Sequence, residues 1–208
     1  MFELLSADTP NGKKVSILLE ELGLQYKVTK INIYKGDQFK PSFSKISPFN
    51  KIPVLKDLKT KKYIFESGAI LIYLGEKYKK FYDKKYRLKI LQWLMAQMAY
   101  VGPMFGQHHQ FHHYNHGKSK FGEDRYFKIS TQIYKDLDKR LSKSKFLACS
   151  KYTIADIATF PWVARHEIHD IGLKKFKNLT RWFDLISKRK AVIKGYDFMN
   201  RGEIIPKP

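Results

Sequence analysis

The hydrophobic period of this chain changes once, near residue 78, and that change limits what it can fold into. Ahead of it, short apolar runs alternate with helical spacing. Phe2-Glu3-Leu4-Leu5 reads as a buried strand. Thr9-Pro10 opens a helix, with Thr9 as N-cap and Pro10 at the first helical position. Val15, Leu18, Leu19 and Leu22 carry that helix and Gly23 ends it. Residues 26–31 alternate as a strand, and 36–45 read as a loop with a short helix. Residues 51–55 and 62–65 read as two strands around a charged turn, a hairpin, and 66–77 as a third helix. The order β-α-β-α-β-β-α makes a small α/β layer.

Past the change only helical patterns remain. Residues 79–86, dense in lysine and tyrosine, read as a linker. Leu88, Leu91, Leu94, Met95 and Met98 begin a long helix that Gly102-Pro103 should bend or break. Tyr126, Ile129, Ile133, Tyr134, Leu137 and Leu141 mark a second. Thr153 with Asp156 three residues on is a capping pattern ahead of Ile157, Ala158, Phe160, Trp162 and Val163. Phe176, Leu179, Trp182, Phe183 and Ile186 mark a last packed helix, and the tail after Met199 reads as frayed. The fold class is α/β plus all-α: an α/β domain over 1–78, a linker over 79–86 and an all-helical domain over 87–208.

Composition narrows the function classes. At 43% hydrophobic residues and 15% aromatics the chain is globular rather than disordered. No apolar run approaches the ~18 residues of a membrane span. The start, Met1-Phe2-Glu3-Leu4, lacks the basic segment of a secretory signal. A lone cysteine, Cys149, rules out an internal disulfide and suits a reducing cytoplasm, the expected location. The net charge of +21 comes from 40 Lys+Arg against 19 Asp+Glu, mostly lysine scattered along the chain. That reads first as a solvated basic surface, then as attraction for anionic substrates. No nucleic-acid-binding motif accompanies it.

Two stretches look built for a ligand. Asn50-Lys51-Ile52-Pro53-Val54-Leu55 is a short apolar strand with a proline, which removes a ladder bond. An Ile-Pro bond can also be cis, turning neighbouring backbone groups outward to pair with an extended peptide. Phe65-Glu66-Ser67-Gly68-Ala69-Ile70 opens a helix where Ser67 can cap and free N–H groups can bind a carboxylate. A strand edge that grips a peptide backbone beside a helix start that grips a carboxylate suits a small acidic peptide.

These residues resemble the glutathione S-transferase family over nearly the whole chain. Thr9-Pro10-Asn11-Gly12-Lys13, Gly36-Asp37-Gln38-Phe39, Ile46-Ser47-Pro48, Asn50-Lys51-Ile52-Pro53 and Glu66-Ser67-Gly68-Ala69-Ile70 are together similar to the bacterial Nu-class, disulfide-bond-oxidoreductase branch. That branch also resembles the transferase-like domain of the yeast prion protein. The resemblance implies a thioredoxin-like N-terminal domain, a helical-bundle C-terminal domain, a homodimer and a ligand cleft between the domains. Glutathione is the implied co-substrate, with no metal. Ile52, ahead of Pro53, would pair its backbone with the cysteinyl part. Glu66 would meet the γ-glutamyl ammonium and Ser67 the adjacent carboxylate. Gln38 and Lys51 would hold the glycine end or the second half of a disulfide. Arg125 matches a family arginine that reaches the tripeptide from the helical domain.

Where thioredoxin-like redox enzymes carry a cysteine, at the start of the first helix, this chain has Thr9-Pro10-Asn11. An enzyme here must take its thiol from the ligand. Thr9 and Asn11 would stabilise a glutathione thiolate, or they simply cap a helix. The implied function is glutathione-dependent reduction of small disulfides. Alternatives are conjugation to electrophiles, hydroperoxide reduction, or a non-catalytic glutathione-binding module. The run from Gln107 to His116 holds five histidines, with His108, His112 and His116 at metal-ligand helical spacing. It also fits cleft lining or packing, and no carboxylate or cysteine completes a metal set nearby. Cys149 reads as a small apolar filler, and Asp156 as a cap rather than a catalyst.

Overall fold

The computed structural model describes residues 1–208 and divides into two compact units. Met1–Tyr82 with Arg189–Ile204 forms one, and Asp83–Lys188 with Ile205–Pro208 the other.

In the first unit β1 (Phe2–Ser6), α1 (Pro10–Glu21) and β2 (Tyr26–Lys30) make a parallel β-α-β turn. A short helix α2 (Pro41–Ser44) follows, then β3 (Val54–Asp57), β4 (Lys62–Phe65) and α3 (Ser67–Tyr78). The sheet order is β2-β1-β3-β4, with β1–β3 and β3–β4 antiparallel. Thr9 caps α1 by accepting from the Gly12 N–H at 3.3 Å, and Pro10 stands in the first turn. The core is built from Phe2, Leu4, Val15, Leu18, Leu19, Val54, Leu55, Ile70, Leu71 and Leu74, all buried. Asp57 closes the β3–β4 hairpin. Its carboxylate accepts from the Lys59 and Thr60 N–H groups and the Tyr73 hydroxyl, and pairs with Lys77. Burial opposes ionisation there, yet Lys77 and these donors hold the carboxyl well below its ordinary range.

Two expectations shift, one at a strand and one at a helix start. The third strand starts at Val54, so Lys51, Ile52 and Pro53 belong to the approach loop. The reason is local: Pro53 has no N–H to offer a ladder, and the Ser47 hydroxyl holds Lys51, donating to its C=O at 2.7 Å and accepting from its N–H at 3.1 Å. Ser67 is not the cap of α3. Glu66 takes that place with φ 67°, and Ser67 lies inside the first turn.

The helical unit holds α4 (Arg87–Ala96), α5 (Gly102–His108), α6 (Lys120–Ser142), α7 (Ile154–Val163), α8 (His166–His169) and α9 (Lys177–Ser187). Gly102-Pro103 does not break the long helix. A π-helical turn over Gln97–Val101 joins α4 to α5, a wider register that absorbs the hydrogen bond Pro103 cannot donate. A second π-helical stretch, His109–Tyr114, extends α5. Phe105, Ile133, Tyr134, Leu137, Ile154, Ile157, Phe160, Trp182, Phe183 and Ile186 fill the core. No helix is long and apolar enough to cross a membrane.

The last helix, α10 (Lys190–Tyr196), lies in the range read from sequence as part of the helical domain, but it packs on α1 within the first unit. The Ser16 hydroxyl donates to the Gly195 carbonyl at 2.6 Å. A Cβ on Gly195 would stand 2.6 Å from Ile17 Cα, so only glycine permits this approach. Arg189 grips Glu21 through two guanidinium nitrogens, one at 2.7 Å. Residues beyond Asn200 have no regular structure, yet Glu203 returns to pair with Lys13.

Candidate glutathione site

Strand register gathers the candidate residues. Leu5, near the end of β1, pairs with Val54, the first residue of β3, and Val54 pairs with Phe65, the last of β4. Ser6 pairs with Lys30, the last of β2. One edge of the sheet therefore emits the segment to Thr9 and Asn11, the loop with Gln38, the loop through Lys51, Ile52 and Pro53, and the turn into Glu66 and Ser67. Eight of the nine sequence-derived candidates share that edge. The ninth, Arg125, is exposed on α6 of the helical unit.

Each group is presented by a local device. Thr9 spends a lone pair on the Gly12 N–H, which leaves its hydroxyl proton for donation. Asn11 is half-buried in the first turn of α1, where unpaired N–H groups favour an anion. Gln38 sits in a 3-10 turn, Asp37–Phe39. It donates to the Ile33 carbonyl at 3.2 Å, while its Oε1 is buried with no partner. Lys51 is exposed and its backbone is fixed by Ser47. The Ile52–Pro53 peptide is cis. Glu66 is exposed and has a positive φ, and Ser67 is 3% exposed at the start of α3.

Sequence reasoning missed Lys14. It is 1% exposed, its Nζ stands 3.4 Å from Ser67 Oγ, and burial pushes its ammonium down to about 7 against the attraction of Glu66. One signal was available: Lys14 lies four residues before Leu18 on the apolar face of α1.

The histidines do other work. His108 stacks on His112 at 4.7 Å, and His109 on His169 at 4.9 Å and on Trp162 at 5.9 Å between ring centroids. His169 Nδ1 bonds the Tyr134 hydroxyl at 2.7 Å, and His108 Nε2 the His169 carbonyl at 2.9 Å. The rings stack instead of converging, and no group of three or more His, Cys, Asp or Glu is placed to hold a metal ion. Cys149 is buried in the helical unit. Asp156 caps α7 as read from sequence, accepting from the Thr153 N–H and hydroxyl at 3.0 Å.

A thioredoxin-like sheet joined to a separate helical unit is the architecture of glutathione transferases. The chain belongs to the glutathione S-transferase family: the family's N-terminal domain model matches residues 9–77 and its C-terminal domain model residues 95–190. Among curated proteins it is 39% identical over 198 residues to the disulfide-bond oxidoreductase YfcG of Escherichia coli strain K12, covering 92% of each chain. Among solved structures it is 40% identical to a glutathione transferase from Pseudomonas putida with one glutathione disulfide bound per subunit (TM-score 0.87, covering 94% of this chain and 90% of that one). A Burkholderia graminis glutathione transferase with two glutathione molecules per subunit is 38% identical (TM-score 0.89, 97% and 89% covered).

Proposed function

We propose that this protein is a glutathione-dependent disulfide-bond oxidoreductase that reduces small disulfides. The observation that carries the reading is a helix start equipped for a thiolate but without a thiol. Thr9 and Asn11 stand at the first turn of α1, and the lone cysteine lies buried in the other unit. The names and ligands of the relatives support the same chemistry.

A glutathione thiolate accepts a hydrogen bond from the Thr9 hydroxyl and is stabilised by the Asn11 amide and the helix start. It attacks one sulfur of a disulfide RSSR. A mixed disulfide forms and RS⁻ leaves, taking a proton from water. A second glutathione thiolate attacks the glutathione sulfur of the mixed disulfide, giving glutathione disulfide and the second thiol. Two glutathiones are oxidised and one disulfide is reduced. Ile52 pairs with the cysteinyl backbone, with Pro53 fixing the loop. Glu66 takes the γ-glutamyl ammonium and Ser67 its carboxylate. Gln38 and Lys51 take the far end of the ligand, and Arg125 is assigned on family resemblance alone. The same reading makes the protein a cytoplasmic homodimer.

Turnover of hydroxyethyl disulfide with glutathione tests this. Thr9→Ala and Asn11→Ala should each lower kcat by about 10²-fold, the scale of removing one anion-stabilising donor, with glutathione binding by calorimetry nearly unchanged. Unchanged kcat in both variants would remove the mechanism. Turnover only with an aryl halide or a hydroperoxide would put transferase or peroxidase activity in its place. Tight binding with no turnover in any assay would make it a glutathione-binding module.

A further inference from the structure

Within the first unit, the segment after α10 folds back over the start of α1. Asp197 opens a tight turn. Its carboxylate accepts from the Arg201 N–H at 2.8 Å and the Gly202 N–H at 3.0 Å, and its carbonyl accepts from the Asn200 N–H at 2.8 Å. Two side chains of this segment reach α1. Phe198 is 5% exposed, and its ring lies so close to Gly12 that a Cβ there would stand 3.1 Å from it. The same Cβ would stand 2.5 Å from Ser6 Oγ and 2.8 Å from the Ala7 carbonyl, so Gly12 is held on both sides. Glu203 pairs with Lys13, a buried cation that also meets Asp8 at 2.9 Å and the Tyr196 carbonyl at 2.9 Å.

Gly12 and Lys13 are the two residues that hold Thr9. The Gly12 N–H donates to the Thr9 hydroxyl oxygen at 3.3 Å and the Lys13 N–H to the Thr9 carbonyl at 3.0 Å, while Lys13 Nζ fixes Asp8, the residue before. We propose that Phe198 and Glu203 are positioning residues of the glutathione site: they hold Gly12 and Lys13, and through them aim the Thr9 hydroxyl at the ligand's thiolate. The inference rests on assigning Thr9 to that thiolate. Aim matters because a hydrogen bond weakens steeply as its angle closes, and a donor stabilises an anion fully only when it is fixed beforehand.

The readout is the thiol of bound glutathione, titrated through the ultraviolet absorbance of its thiolate against the same protein saturated with S-methylglutathione. In Glu203→Ala that titration should move up by about one pH unit, a roughly tenfold loss of thiolate stabilisation. The kcat for hydroxyethyl disulfide should fall, with the KM for glutathione nearly unchanged. Removal of a neighbouring negative charge would by itself move the titration down, so the direction separates loss of aim from loss of charge. Glu203 is half-buried on a segment without regular structure, so this variant should fold, and its urea midpoint checks that. Phe198→Ala changes no charge and should give the same upward shift. Phe198→Leu keeps apolar bulk over Gly12 and should recover most of it. A titration that stays in place or moves down in either folded variant overturns the proposal and leaves the glutathione reading standing, because wild type still binds and turns over. A wild type with neither glutathione binding nor turnover overturns that reading and this inference with it.

Discussion

Asp156 receives four hydrogen bonds on two oxygens. The Leu147 N–H and the Trp182 indole N–H meet Oδ1 at 2.9 Å, and the Thr153 N–H and hydroxyl meet Oδ2 at 3.0 Å. It ties the loop ahead of α7, the cap of α7 and the centre of α9 to one buried group. Burial pushes its carboxyl up to about 6, opposed by all four donors, so it is ionised at neutral pH. Asp156→Asn keeps the shape but turns an NH₂ toward two of those donors. It should cost about 3–5 kcal/mol, the range for breaking a buried charged arrangement, measured by urea unfolding. The cap was legible because its two residues lie three apart. The bonds from Leu147 and Trp182 were not, because nothing local in a sequence brings distant donors to one carboxylate. Lys14 was passed over for a related reason: its spacing from Leu18 puts it on the apolar face of α1, but lysine on a helix ordinarily marks the solvent face, and tertiary packing reverses that here.

Among the elements, α10 is the one whose place the pattern did not reveal. Periodicity shows that a segment is helical but not which neighbour it covers. Its seat on α1 depends on Gly195 lying against the Ile17 backbone and on Ser16 reaching the Gly195 carbonyl. Gly195→Ala gains helix propensity but drives a methyl into Ile17 Cα and N. It should destabilise the protein by about 1–3 kcal/mol, the cost of overpacking, seen as a lower urea midpoint. The π-helical turns were equally hidden. Over five or six residues, a period wider than 3.6 leaves the same apolar spacing within error, so the run from His108 to His116 read as an ordinary helix face. The β-α-β-α-β-β-α order was legible because turn residues and a capping threonine punctuate it locally, and that order is what brings the candidate residues to one edge of the sheet.

For the whole molecule, the histidine stack sets an acid limit. Burial and neighbouring cations hold His169 well below its ordinary value of 6.5 and His109 down to about 3, and burial lowers His108 and His166 as well. Above pH 6.5 folded and unfolded chains both keep these rings neutral, and their contribution is complete. Below it the unfolded chain takes up protons that the native stack refuses, so stability falls with pH. For His109 and His169 together the loss between pH 6.5 and 5.5 should be about 2 kcal/mol. His109→Phe, which keeps the stacking area and removes a titrating ring, should make the urea midpoint less sensitive to that interval. An unchanged slope would mean the stack titrates as exposed histidine does. Asp156, with its carboxyl at about 6, works in the opposite direction and is common to both proteins, so the comparison isolates the ring. The closure of the first unit by α10 has a consequence for how the chain is made. Translation delivers β1 through α3 well before residues 190–196 leave the ribosome. The domain begun first thus waits for a helix made after all the helices of the other unit, and until then the α1 face around Ser16 and Ile17 stays open to chaperones and proteases in the growing polypeptide.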